Sequence, residues 1–170
     1  MRSPVVLGLD LSLTAPAAVV LGSAWAPGDW VHIPTCLPDT RKLRGEPRLI
    51  RIRTVLDIFA VSHGVSHAFV EEYAFTSRNT HLASLGELGG VVKVALYERG
   101  IETAPVPAAT ARKTLLGTIK RSALAGAKVK DYVASQLARM GAPFTSLDIG
   151  DAFVVANHGR ALLGLSHIGV

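Results

Sequence analysis

The sequence predicts an α/β domain, a mixed sheet of five strands with helices packed on its faces. Three observations lead there. Short apolar runs rich in β-branched residues are spaced along the chain. The first three lie close together, separated by Pro and Gly, as in consecutive antiparallel strands. The later ones are separated by long segments of helical periodicity, which favours helices lying over a sheet.

In chain order, Val5 to Leu9 is nearly continuous and apolar, as suits a strand buried on both faces. Ala17 to Leu21 and Trp30 to Ile33 read as the second and third strands, with Pro16, Gly22, Pro27 and Gly28 in the gaps. A basic polar segment, Asp39 to Pro47, leads into a helix ending near Ser62, with Leu49, Ile52, Leu56 and Phe59 at helical spacing. Ala68 to Glu71 is the fourth strand. A helix from Thr80 to Arg99 follows, with Leu82, Leu85, Leu88, Val92 and Leu96 along it. Gly86, Gly89 and Gly90 interrupt that helix at a cost of roughly 1 kcal/mol each, which points to close packing on the sheet or on a second copy of the chain, or to close approach of a ligand to the backbone. Glu102 to Val106 is the fifth strand. Helical patterns at Ala108–Leu116, Gly126–Met140 and Ile149–Leu163 close the chain.

Composition narrows the function. The chain has 170 residues, 49% hydrophobic and 18% charged, enough for one domain with a real core and too apolar for intrinsic disorder. No stretch reaches the ~20 apolar residues of a membrane span, and Asp10 interrupts the N-terminal apolar run, so a soluble, cytoplasmic protein is expected. A single cysteine, Cys36, excludes an internal disulfide and a cysteine-based zinc site. Lys and Arg number 18 against 13 Asp and Glu, a net charge of +5 that favours an anionic partner. Most of the basic residues fall in two blocks: Arg41, Lys42, Arg44, Arg48, Arg51 and Arg53, then Arg112, Lys113, Lys120, Arg121, Lys128 and Lys130. The bland reading is two solvated faces; the functional one is a phosphate-binding surface.

Four carboxylates stand out. Asp10 and Glu71 end the first and fourth strands, and Asp148 and Asp151 are three apart at the start of the last helix, on one helical face. Singly, each is explained as a turn residue or as a favourable charge near a helix N-terminus. If the two strands are neighbours and the last helix crosses their ends, the four converge and require cations. Oxygen ligands without a Cys or His cluster suit Mg²⁺ or Mn²⁺. Two such ions ~3.5–4 Å apart serve in-line displacement at a phosphodiester. His158, seven after Asp151, lies two turns away, ~10 Å along the axis, too far to share a metal.

The segments VVLGLDLSLT (5–14), AFVEEYAFTSRN (68–79), LASLGELGGVVKVAL (82–96), TLLGTIKRSALAGAKVKDYV (114–133) and SLDIGDAFVVANH (146–158) together resemble the RuvC family of Holliday-junction resolvases, within the ribonuclease H-like nucleases. The resemblance implies a ribonuclease H-like sheet, three antiparallel strands then two parallel. It implies two Mg²⁺ per site, replaceable by Mn²⁺, on Asp10, Glu71, Asp148 and Asp151. It implies a homodimer that resolves four-way junctions by paired nicks, leaving 5′-phosphate and 3′-hydroxyl ends. Lys128 or Lys130 would stabilise developing charge, and Tyr73 or Phe75 would wedge into the junction. DNA contacts are expected from Arg78 and Asn79 and from Arg41, Lys42, Arg44, Arg48, Lys113, Lys120 and Arg121. Leu11-Ser12 stands where bacterial members usually have Pro-Gly, and Pro16-Ala17-Ala18 replaces a glycine-bearing strand, departures that point to a phage-type member. Alternatives are a broader flap, fork or hybrid nuclease, a non-catalytic branched-DNA-binding protein, and a sugar-kinase-like phosphotransferase. The last needs a second Gly-rich phosphate loop and a second lobe, for which 170 residues leave no room.

Overall fold

The computed structural model describes residues 3–22, 30–33, 42–72, 82–117, 127–140, 144 and 146–167. Four five-residue strands form the body of the sheet: β1 (Val6–Asp10), β2 (Ala17–Leu21), β4 (His67–Glu71) and β5 (Glu102–Val106). The three-residue β3 (Trp30–His32) lies at one edge. The order is β3-β2-β1-β4-β5. β2 runs antiparallel to β1 and to β3, whereas β4 is parallel to β1 and β5 to β4. Parallel neighbours need crossover connections, and the helices α1 (Gly45–Ser62) and α2 (Leu82–Glu98) provide them. Pro47 sits in the first turn of α1, where a missing N–H costs nothing.

Side chains alternate across a strand, and the alternation divides the core in two. Leu7, Leu9, Ala18, Val20, Ala68 and Val70 meet Ile52, Leu56 and Phe59 of α1 and Leu88, Val92 and Leu96 of α2. On the opposite face, Val6, Val19, Leu21, Phe69 and Val106 meet the three C-terminal helices. These are α3 (Ala108–Leu116), α4 (Ala127–Arg139) and α5 (Leu147–Leu162).

α5 organises this second face. Every residue from Ile149 to Arg160 is buried, because the helix lies between the sheet and the helices α3 and α4. It begins two residues earlier than hydrophobic periodicity indicates. Ser146 caps it, its side chain accepting from the Asp148 amide at 3.2 Å, so Asp148 lies within the first turn. Two glycines let the helix approach the strands. A Cβ on Gly8 would stand 2.2 Å from the Ala152 carbonyl oxygen and 2.5 Å from the Ala156 nitrogen. A Cβ on Gly159 would stand 2.1 Å from the Phe69 ring. At the far end, the Arg160 guanidinium donates to the carbonyls of Gly22 and Ser166. Gly86 and Gly90 make no close approach to the sheet within the described residues. Both are exposed, and a Cβ added to either would meet no described atom within 4 Å. No helix among the described residues is long and apolar enough to cross a membrane.

Candidate active site

The site follows from strand parity. Val6, Gly8 and Asp10 share one face of β1, and Phe69 and Glu71 share the same face of β4. Because β1 and β4 are adjacent and parallel, both carboxylates stand at the same end of the sheet, toward α5. Asp10 is the last residue of its strand, registered against Ala17, and Glu71 is the last of its own, registered against Val106. Asp151 projects from the second turn of α5, next to the Ala152 that rests on Gly8.

Carboxylate oxygens of Asp10, Glu71 and Asp151 all lie within 4.8 Å of one another. At about 5 Å two carboxylates repel by roughly 3 kcal/mol at an effective dielectric of about 20, so three together require positive charge. Asp10 and Glu71 are half-buried, and Asp151 is only 4% exposed. One cation is already there. Arg112 of α3 donates to Asp151 Oδ1 from Nη2 at 2.9 Å and from Nε at 3.3 Å. A donor set of carboxylate oxygens alone fits a hard divalent ion.

Other expected residues are distributed as follows. Asp148 is half-buried in the first turn of α5 and is not part of the three-carboxylate group. Lys42, Arg44 and Lys113 are exposed. Arg48 is half-buried and donates to the Leu13 carbonyl oxygen at 3.4 Å, tying α1 to the β1–β2 connection. Arg53 pairs with Glu98 at 3.0 Å, so part of the first basic block joins α1 to α2. Arg41, Tyr73, Phe75, Arg78, Asn79, Lys120 and Arg121 lie outside the described residues, as do the side chains of Lys128 and Lys130.

His158 stays away from the carboxylates. Its Nδ1 is hydrogen-bonded to Thr114 Oγ1 at 2.7 Å, and Thr114 Oγ1 also lies 3.0 Å from the Thr110 carbonyl oxygen. Burial, and secondarily the charge of His167, holds the His158 pKa below its ordinary value. The neutral imidazole thereby fastens α5 to α3, the helix that carries Arg112.

Arg112 is the residue that sequence reasoning missed, noted only as a member of a basic block. The demand for it was legible, since an aspartate within an apolar helix needs a cation once that helix is buried. Its address was not, because nothing in the sequence says which side of α3 meets α5.

No family model matches the sequence. The crossover junction endodeoxyribonuclease RuvC of Acidiphilium cryptum (strain JF-5) is 32% identical over 111 residues, 64% of this chain. The match spans 62% of that relative's length. The Thermus thermophilus RuvC structure superposes with a TM-score of 0.68 at 22% identity, covering 98% of this chain and 99% of that one. Thermus thermophilus RuvC in complex with a Holliday junction substrate gives 0.66 at 20% identity, with the same coverage. The chain is similar to that RuvC sequence over the 111-residue match and shares the fold of the Thermus thermophilus RuvC structure along nearly its whole length.

Proposed function

We propose that the protein is a divalent-metal-dependent endonuclease that hydrolyses phosphodiesters in branched DNA and resolves four-way junctions by paired nicks, leaving 5′-phosphate and 3′-hydroxyl ends. The observation that carries this is the convergence of Asp10, Glu71 and Asp151 at the strand ends, within 4.8 Å, on a RuvC-like fold. Asp10, Glu71 and Asp151, with Asp148 from the adjoining turn, would hold Mg²⁺, two ions per site, or Mn²⁺ in its place. Such ions supply Lewis-acid stabilisation of the attacking and leaving oxygens.

The chain's own residues do the rest. Burial of Asp151 under α3 keeps one side of the site dry, which strengthens electrostatic interactions there. Lys42, Arg44 and Lys113 are cations for phosphates, to which Arg41, Lys120 and Arg121 add. Lys128 or Lys130 would face the developing charge. Tyr73 or Phe75, with Arg78 and Asn79, would engage the opened junction. The departures at Leu11-Ser12 and Pro16-Ala17-Ala18 support a phage-type member, and a DNA substrate supports a cytoplasmic location.

The test is cleavage in Mg²⁺ of a labelled four-way junction beside a flap, an RNA–DNA hybrid and a linear duplex. Symmetric nicks confined to the junction are expected. Equal cutting of flaps or hybrids would demote the activity to a broader nuclease, and junction binding without cutting would leave a binding protein.

Paired nicks require two sites, so a homodimer is part of the proposal. Exposed apolar side chains on α1 and α2, among them Ile50, Val94 and Tyr97 (82% exposed), support these helices as the contact. Sedimentation at micromolar concentration is expected to give a dimer. A monomer both with and without junction DNA would remove it.

A further inference from the structure

We infer that Arg112 is a resident counter-cation, which a divalent metal must displace from Asp151, so that this ion pair limits how tightly the protein holds metal. The inference rests on the metal-dependent reading above and concerns what the site does before metal arrives.

The geometry of the pair is one of exchange. Both Arg112 donors, Nη2 and Nε, fall on a single oxygen, Asp151 Oδ1. Another arginine–aspartate pair among the described residues differs: Arg99, just past α2, spans both oxygens of Asp57, at 2.8 and 2.7 Å, in the parallel fork that makes such pairs strong. That fork is an exposed structural clasp between the end of α2 and α1. The Arg112 contact is buried, with the side chains 17% and 5% exposed, yet uses the weaker arrangement.

Burial explains why the pair exists. Asp151 sits in a helix enclosed from Ile149 to Arg160, and a carboxylate there without a cation is strongly unfavourable. Arg112 meets that need while the site lacks metal. A divalent ion on the same three carboxylates meets it more completely, and a guanidinium held against the same oxygen would then oppose the ion as a like charge. The two cations therefore compete for Asp151. Arg112 retains a route outward, since its side chain is partly exposed and the neighbouring Lys113 is at the surface.

The experiment is calorimetric titration of the full chain with Mn²⁺, in the absence of DNA, for wild type, Arg112→Lys and Arg112→Gln. Arg112→Gln is expected to bind Mn²⁺ about tenfold tighter than wild type, equivalent to about 1.4 kcal/mol. Arg112→Lys, which keeps the charge but loses the paired donors, is expected to fall between. Equal or weaker binding by folded Arg112→Gln overturns the inference. A second readout needs no variant: phenylglyoxal labelling of wild-type Arg112, mapped by mass spectrometry, should rise severalfold when Mn²⁺ saturates the site. Unchanged or reduced labelling at saturation also overturns it. Absence of Mn²⁺ binding by all three proteins would instead overturn the metal-dependent reading and this inference with it.

Discussion

Asp10→Asn is expected to leave four-way junction binding intact or tighter and to lower cleavage by about a thousandfold or more. Losing a group that merely orients a metal ligand typically costs about 10–100-fold, and Asp10 is proposed as a ligand itself. Its position argues for a large effect. It ends β1 beside Glu71 on the neighbouring parallel strand, and its oxygens lie within 4.8 Å of those of Glu71 and Asp151. An amide at that place keeps the shape and removes one of three negative charges. Less repulsion toward phosphates is the reason for unchanged or tighter binding. Junction cleavage and gel-shift affinity, measured on one preparation whose melting temperature is checked, decide the matter. Cleavage near the wild-type rate would remove Asp10 from the site.

Gly8→Ala is expected to destabilise the protein by about 3 kcal/mol or more, at the upper end of the usual cost of overpacking. The added methyl would stand 2.2 Å from the Ala152 carbonyl oxygen and 2.5 Å from the Ala156 nitrogen, both backbone atoms that no side-chain rotation can clear. Either α5 moves away from β1 or the strand distorts. At about 2–4 °C per kcal/mol for a chain of this size, the melting temperature should fall by roughly 6–12 °C. Gly86→Ala provides the contrast, because that position is exposed, helical and open. There the same methyl should stabilise by about 0.5–1 kcal/mol through helix propensity alone. Thermal unfolding of the two variants gives the answer, and a Gly8→Ala protein melting within about 2 °C of wild type would refute the packing account. Displacement of α5 would also carry Asp151 away from Asp10 and Glu71, so Gly8→Ala should weaken the proposed metal binding although residue 8 has no side chain to offer a ligand.

These two residues show what sequence can and cannot disclose. Asp10 and Glu71 were visible because a charged residue at the end of an apolar strand breaks a local pattern. The strand directions were accessible for a similar reason: three closely spaced runs imply antiparallel pairing, and intervening helices imply parallel pairing. Gly8 was not visible, since a glycine within a strand looks the same whether its face meets a helix backbone or open space. The α2 glycines drew attention through their helical cost, yet Gly86 and Gly90 line no close contact within the described residues. The start of α5 was displaced because its first turn is set by the Ser146 cap rather than by apolar periodicity. The basic blocks also hold contacts within the fold that composition does not show, Arg48 with the Leu13 carbonyl and Arg53 with Glu98. Long-range pairing decides such cases, and it is a property of the folded chain.

The three converging carboxylates come from residues 10, 71 and 151, on β1, β4 and α5. Joining the first two requires the crossover through α1 to close, and the third requires α5 to settle on a sheet already formed. Contacts between residues so distant in sequence are the slow ones in folding, since the entropy of closing a long loop is lost before they form. No stretch of the chain shorter than that from Asp10 to Asp151 holds all three carboxylates. A nascent or partly folded chain is thus without this cluster of charge, which comes into being only when β1, β4 and α5 have met.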